Sequence, residues 1–344
     1  MSRALLAALL FGATAPAAKV LLAGISPVLL AALFYLGSGV ALATTRLFSP
    51  RPGGAAFRRD DVPWLAGAIV SGGIVAPLAL LWGLERVSAS AASLVLNLEA
   101  VLTAVLAAWI FREHVGVRTV SALVLVTAGS AALLGGPGKA EAAGLAAVAF
   151  ACLGWALDNN LTREIAHADA RAVAMWKGIV AGSVNATLAW VSGAAFPDAS
   201  RAVAALCVGA IGYGVSLTLF VQALRELGAA RTGAYFATAP FLGSALGIFL
   251  LGEPLTAELV LAAVAMAAGV SIMVGEKHLH GHRHRTMEHA HRHVHDEHHS
   301  HSHEGGEGPE PHVHMHRHEE LVHAHPHAPD IHHRHRHEPG SDPQ

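Results

Sequence analysis

The sequence predicts an all-α polytopic membrane protein, with ten transmembrane helices as two inverted five-helix repeats followed by a disordered tail. Three observations carry that prediction. Over 344 residues the chain is 53% hydrophobic and only 14% charged, and residues 276–344 hold almost no apolar runs, so the part before them is more hydrophobic still. A stretch in the first half, WGLERVSASAASLVLNLEAVLTAVLAAWIFREHV at 82–115, recurs without a gap 140 positions later as QALRELGAARTGAYFATAPFLGSALGIFLLGEPL at 222–255. The C-terminal segment from His278 to His337 has 23 histidines in 60 residues.

A water-soluble domain of this size needs more charged surface than the chain provides, so the bilayer is its solvent. The duplication rests on more than apolar matches. Leu84 falls on Leu224, Ala89 on Ala229 and Leu106 on Leu246, but matched leucines in apolar segments prove little. Glu113 falling on Glu253, each just past an apolar run, carries more weight, and the same register puts Ala128-Gly129 on Ala268-Gly269. We read an internal repeat.

In chain order, ten apolar segments are long enough, at roughly 20 residues, to span as helices. They cover 4–23, 27–47, 62–83, 88–110, 117–135, 142–161, 171–192, 202–222, 229–251 and 257–275. The connections between them are short and rich in Gly and Pro. Arg3 before the first apolar run resembles the start of a signal peptide, but Lys19 and the lack of a polar mature domain mark it as a span. Five spans per copy force the second copy to enter from the opposite side, which gives an inverted pair with a site near the midplane. The expected units are 1–137, 138–275 and the tail 276–344.

Basic residues set the expected orientation. With a cytoplasmic N-terminus, the inner side collects Arg3, Arg46, Arg51, Arg58, Arg59, Arg112, Arg118, Arg163, Arg171, Arg225 and Arg231, while the outer side holds Arg86, Lys139 and Arg201. The positive-inside rule then places both termini in the cytoplasm. Cys152 and Cys207 stand alone in apolar segments, without CxxC spacing, and read as core residues.

FGATAPAAK at 11–19, LNLEAVLTAVLAAWIFREHVG at 96–116 and ATAPFLGSALGIFLLGEPLT at 237–256, together with the ten-span pattern, resemble the EamA branch of the drug/metabolite transporter superfamily. The resemblance covers residues 1–275. It implies an inner-membrane carrier, often an exporter, of amino acids, metabolites, drugs or nucleotide sugars. The family's usual proline before the small-residue run is kept at Pro240, while Ala100 stands at the matching place in the first copy. That departure weakens the case for a helix break in the fourth span.

Polar residues inside spans are costly and are functional candidates by default. Glu99, with Asn97, sits close to mid-bilayer in the fourth span, where a protonatable carboxylate could hold a proton or a cationic substrate. Asp158, Asn159 and Asn160 form a second cluster, and Lys177 enters the next span from the same side, within reach of Asp158. That pair reads equally as a salt bridge or a gate. Lys19 either snorkels to headgroups or contacts substrate. Asn185, Gln222, Tyr213 and Tyr235 read mainly as packing, and Glu113 and Glu253 as contacts to neighbouring helix ends. The GxxxG spacing Gly243–Gly247 fits a bundle contact or a homodimer face equally.

The tail carries HxH alternation, with candidate metal ligands His278, His280, His282, His284, His289, His291, His293, His295, His298, His299, His301, His303, His312, His314, His316 and His318. Its sparse apolar content predicts disorder without ligand. Neutral imidazole suits Zn, Ni, Co and Cu, and many registers imply buffering more than one defined site. No cofactor is required by the membrane part. Two cargoes compete: a small organic metabolite or drug exported in exchange for protons, or a divalent metal ion fed by the tail. Behind them stands a membrane-anchored metal sensor or buffer. The spans hold histidine only at their edges, His114 and His167, which weighs against a metal permease. No nucleotide loop, HExxH or catalytic triad points to an enzyme or a nucleic-acid partner.

Overall fold

The computed structural model describes residues 2–48, 57–111, 117–134, 139–165, 168–220, 222–223, 232, 235–274, 278–284, 287–293, 312–318 and 321–327. They fall in two compact units, Met1–Glu276 and Lys277–Gln344. In the first unit, a helix covers described residues of each of the ten expected spans: α1 (Ser2–Leu21), α2 (Pro27–Phe48), α3 (Arg59–Leu84), α4 (Ala89–Ile110), α5 (Val117–Leu134), α6 (Lys139–Glu164), α7 (Ala170–Val191), α8 (Ala199–Phe220), α9 (Ala239–Leu251) and α10 (Ala257–Val274). Among the described residues six are long and apolar enough to cross a membrane by length and composition alone, and three shorter apolar helices lie in α5, α9 and α10. The chain is a multi-pass membrane protein.

Local chemistry fixes the helix ends. Ser88 opens α4 by accepting from the Ala91 N–H, and Asp169 opens α7 by accepting from the Arg171 N–H. Asp198 opens α8, and the Ser200 hydroxyl and the Arg201 N–H hold its carboxyl below the usual carboxylate range. The last turn of α9 closes on Gly252 at φ 68°, a left-handed position that suits glycine.

The helices pack as an inverted duplication requires. α2 lies against α7, α5 against α10 and α4 against α9, each helix meeting its own counterpart. Three further contacts come in matched pairs: α3 packs on α6 as α8 packs on α1, α4 on α6 as α9 on α1, and α3 on α7 as α8 on α2. Small residues permit these approaches. A Cβ on Gly129 would sit 3.0 Å from the Ala262 carbonyl, and one on Gly269 would sit 3.0 Å from the Ala122 carbonyl. The two contacts are the same contact seen from either repeat. Gly243 and Gly247 face Ser93 and Ser90 of α4, so the GxxxG spacing is used inside the bundle.

In the second unit the described backbone runs as four strands, where the sequence reading expects no fixed structure. β1 (His278–His284) pairs antiparallel with β4 (Leu321–His327), and β2 (Met287–His293) with β3 (His312–His318). The HxH alternation that reads as low complexity also has a strand's period of two. His295, His298, His299, His301 and His303 lie outside the described residues, as do His114 and His167.

α2 and α7 pack backbone to backbone, with a Cβ on Gly178 only 2.7 Å from Gly39 Cα. Gly178→Leu should therefore cost about 2 kcal/mol or more through overpacking. Thermal unfolding in detergent should show a lowered midpoint, with Val40→Leu on the exposed face as the silent comparison. An unchanged midpoint for Gly178→Leu would contradict the packing.

Candidate functional site

The central site is built where helices stop being regular. α1 breaks at Ala13 and α4 at Leu96–Asn97, and a turn at Ala237–Thr238 leads into α9. Each of the three carries a polar side chain that hydrogen-bonds back to the carbonyl three residues earlier. Thr14 Oγ1 donates to Phe11 O at 2.6 Å, Asn97 Nδ2 to Leu94 O at 3.0 Å and Thr238 Oγ1 to Tyr235 O at 2.6 Å. Side chains of this kind compete with the helical ladder and stabilise the interruption. The break in α4 is made although Ala100 stands where the proline would be: no proline is needed, because Asn97 supplies the interruption itself.

Two further irregularities match across the duplication. α3 winds as a π-helix over Ile69–Val75 and α8 over Ala210–Val215, and Gly72 and Gly212 are 140 residues apart, the shift of the repeat. A π-turn widens the helix and leaves carbonyls badly aimed at the normal donor. In α3 the freed carbonyls are taken by side chains from three other helices. Tyr35 Oη and Trp155 Nε1 both donate to Gly72 O, at 2.6 and 2.9 Å, and Asn185 Nδ2 donates to Gly73 O at 3.1 Å. Gly72 has no room for a side chain, since a Cβ there would run into Asp158 Oδ2.

Asp158, only 4% exposed, receives both of its strong contacts from Lys177 Nζ, at 2.6 Å to Oδ1 and 2.5 Å to Oδ2, with Thr162 Oγ1 adding a third at 2.9 Å. The next residue, Asn159, points from α6 to α4, where its Nδ2 donates to Glu99 Oε1 at 2.9 Å and to Thr103 Oγ1 at 3.3 Å. Glu99 thus has an amide partner and, among the described residues, no ion-pair partner. Asn160 extends the same seam to Thr103 O at 3.2 Å.

Tyr35, the donor to Gly72 O, also lines a narrow cavity of about 10 Å³, room for about one water, with Thr14, Ala15, Ala18, Phe34 and Tyr213 among others. Tyr213, from the second π-helix, stacks on Tyr35 at 6.0 Å and meets Phe11 edge-on at 5.9 Å. The lining is aromatic and aliphatic with three hydroxyls. Among the described residues no three His, Cys, Asp or Glu side chains converge to hold a metal ion.

Of the sequence candidates, Glu99, Asp158, Asn159 and Lys177 come together along this seam between the repeats. Asn97 turns away, its amide bonding Leu94 O and lying 3.8 Å from Met266 Sδ. Lys19 sits on backbone carbonyls at 84–87. Sequence reasoning missed Tyr35 and Trp155, two aromatic donors in spans full of apolar residues. The available signal was Gly72-Gly73: if that pair marks an irregular turn, donors must come to it.

Comparison with known proteins fits this architecture. The EamA-like transporter family matches twice, over residues 2–135 and 142–275. A curated protein described as an uncharacterized transporter from Methanothermobacter thermautotrophicus (strain Delta H) is 27% identical over 286 residues, covering 78% of this chain and 83% of that protein. A solved crystal structure shares the fold at a TM-score of 0.58 and 21% identity, over 79% of this chain and 96% of the other. With two family matches on the two halves of one inverted bundle, the chain belongs to the EamA-like transporter family.

Proposed function

We propose that this transporter exports a small organic metabolite or drug in exchange for protons across the cell (inner) membrane, with both termini cytoplasmic. The observation that carries this reading is Glu99. It is a carboxylate within a span, bonded by one amide from the opposite repeat. A carboxylate so placed can bind a proton on one side of the membrane and release it on the other. Cargo and proton then compete for the same group, which couples their movements in opposite directions. The aromatic lining of the cavity favours an organic cargo, with Tyr35 and Tyr213 offering ring faces and hydroxyls.

A second reading is supported by the tail. Its dense histidines fit Zn, Ni, Co or Cu through neutral imidazole, and they would act as a cytoplasmic buffer or as a feeder if the cargo is a metal ion. The set of donors at the central seam, one amide-bonded glutamate and an aspartate held by lysine, matches a metal cargo poorly.

Three outcomes are expected. In proteoliposomes, Glu99→Gln should abolish cargo-driven proton flux, read with an internal pH dye against a panel of organic cations and neutral drugs, while insertion is kept. Wild-type flux in that variant would remove Glu99 from the mechanism. Cellular Zn, Ni and Co content should be the same with full-length protein and with Glu99→Gln. A fall that needs Glu99 would make metal the cargo, and a chain stopped after Gly275 would show whether the tail feeds it. Lys177→Met should destabilise by about 3–5 kcal/mol by leaving Asp158 buried without its partner. Adding Asp158→Asn should restore the unfolding midpoint. Restored transport as well would make the pair structural, and stability without transport would make it part of the gate.

A further inference from the structure

The turn between α3 and α4 is held from two sides by opposite charges. Lys19 Nζ, near the end of α1, donates to Leu84 O at 2.6 Å, Val87 O at 2.8 Å and Glu85 O at 3.4 Å, the carbonyls left open where α3 ends. Glu253, in the turn after α9, accepts from Ala89 N at Oε1 (2.6 Å) and from Ser90 N at Oε2 (2.7 Å), the amides left open where α4 begins. A cation on a helix C-terminus and an anion on an N-terminus are each the favourable sign. Two glycines make the second contact possible. The left-handed turn at Gly252 brings Glu253 back toward α4, and a Cβ on Gly247 would lie 2.8 Å from Glu253 Oε2 and 2.9 Å from Ser90 N.

These contacts tie the first repeat's α3–α4 turn to α1 of the same repeat and to the α9–α10 turn of the other. They also sit directly over the cavity. Ala18 and Leu81, which line it, are one residue before Lys19 and one turn before Leu84. The Glu253 and Glu85 carboxylates both attract the Lys19 ammonium, while Arg86 is occupied elsewhere, on the face of Trp82 and on Glu85. We propose that Lys19 and Glu253 form a charged latch that closes this end of the bundle, and that the narrow cavity beneath it belongs to the latched state. Opening this end for cargo then requires α1 and the α9–α10 turn to let go of the α3–α4 turn. The inference rests on the chain being a transporter. It concerns access and is independent of which cargo or coupling ion is used.

Thiol labelling tests it without a cargo. In a chain with Cys152→Ala and Cys207→Ser, Ala15→Cys reports on the cavity, and Leu255→Cys, in the exposed turn beside Glu253, identifies the latch side in oriented vesicles. A membrane-impermeant maleimide applied from the latch side should label Ala15→Cys slowly. With Lys19→Met and Glu253→Gln together, the rate from that side should rise at least about tenfold, the scale set by losing one hydrogen bond to a charged group. Each single substitution should give an intermediate rate, and size-exclusion elution should stay at the wild-type volume. An unchanged rate from the latch side overturns the proposal, and so does an equal rise from both sides, which would mean general loosening. Labelling and proton flux are read separately, so failure of the latch leaves Glu99 coupling standing, and failure of coupling leaves the latch standing.

Discussion

In hydrocarbon a backbone N–H or C=O without a partner costs several kcal/mol, and no water is at hand to supply one. The polar architecture of this protein follows from that constraint. Wherever a helix departs from the regular ladder, a side chain must arrive to satisfy what has been freed. Thr14, Asn97 and Thr238 do so locally at two breaks and a turn. At the π-turn of α3 the donors come from α2, α6 and α7. The seam of polar residues through the bundle is thus first a consequence of irregular backbone. Its second property, that the irregular segments lie between repeats, is what makes it usable for transport.

The duplication constrains where irregularity can occur. Because the α5–α10 and α2–α7 contacts pair each helix with its own counterpart, their small-residue surfaces are tested twice by the same packing. Gly129 and Gly269 each approach the carbonyl that is 140 residues from the one the other approaches. The π-turns obey the same shift, yet their chemistry differs. Gly73 in α3 corresponds to Tyr213 in α8, so one turn exposes carbonyls to donors and the other projects a ring into the cavity. A symmetric frame with unlike side chains gives the cavity two different walls.

Much of the fold was legible in the sequence, because hydrophobic length and a gapless repeat are long-range signals that local detail does not blur. The Asp158–Lys177 pair was legible as well, since both residues enter adjacent spans from one side and neither can stay alone in hydrocarbon. The bond from Asn159 to Glu99 joins two residues singled out separately, but nothing in the sequence says that α6 crosses α4 there. Tyr35 and Trp155 were not legible, because an aromatic residue in a span is ordinary until a free carbonyl gives its polar atom a task. The fourth-span break is hard to read for a related reason. Proline is the conspicuous helix breaker, while an asparagine bonding its own i−3 carbonyl leaves no pattern that composition would flag.

The two acidic groups of the seam show how partner chemistry separates roles that look alike in sequence. Asp158 faces an ammonium that contacts both of its oxygens, an arrangement matched to a group that stays charged. Glu99 faces the N–H of an amide. An amide N–H donates to a carboxylate oxygen and equally to the carbonyl oxygen of the protonated acid, so its partner survives either state. A group that must gain and lose a proton in every cycle needs that tolerance, whereas a fixed cation would have to be displaced or left unpaired at each protonation. The seam therefore places a committed ion pair between α6 and α7 next to an uncommitted carboxylate reached by the residue after Asp158. The proton-coupling proposal attaches to Glu99 for that reason, although Asp158 lies deeper and is held more tightly.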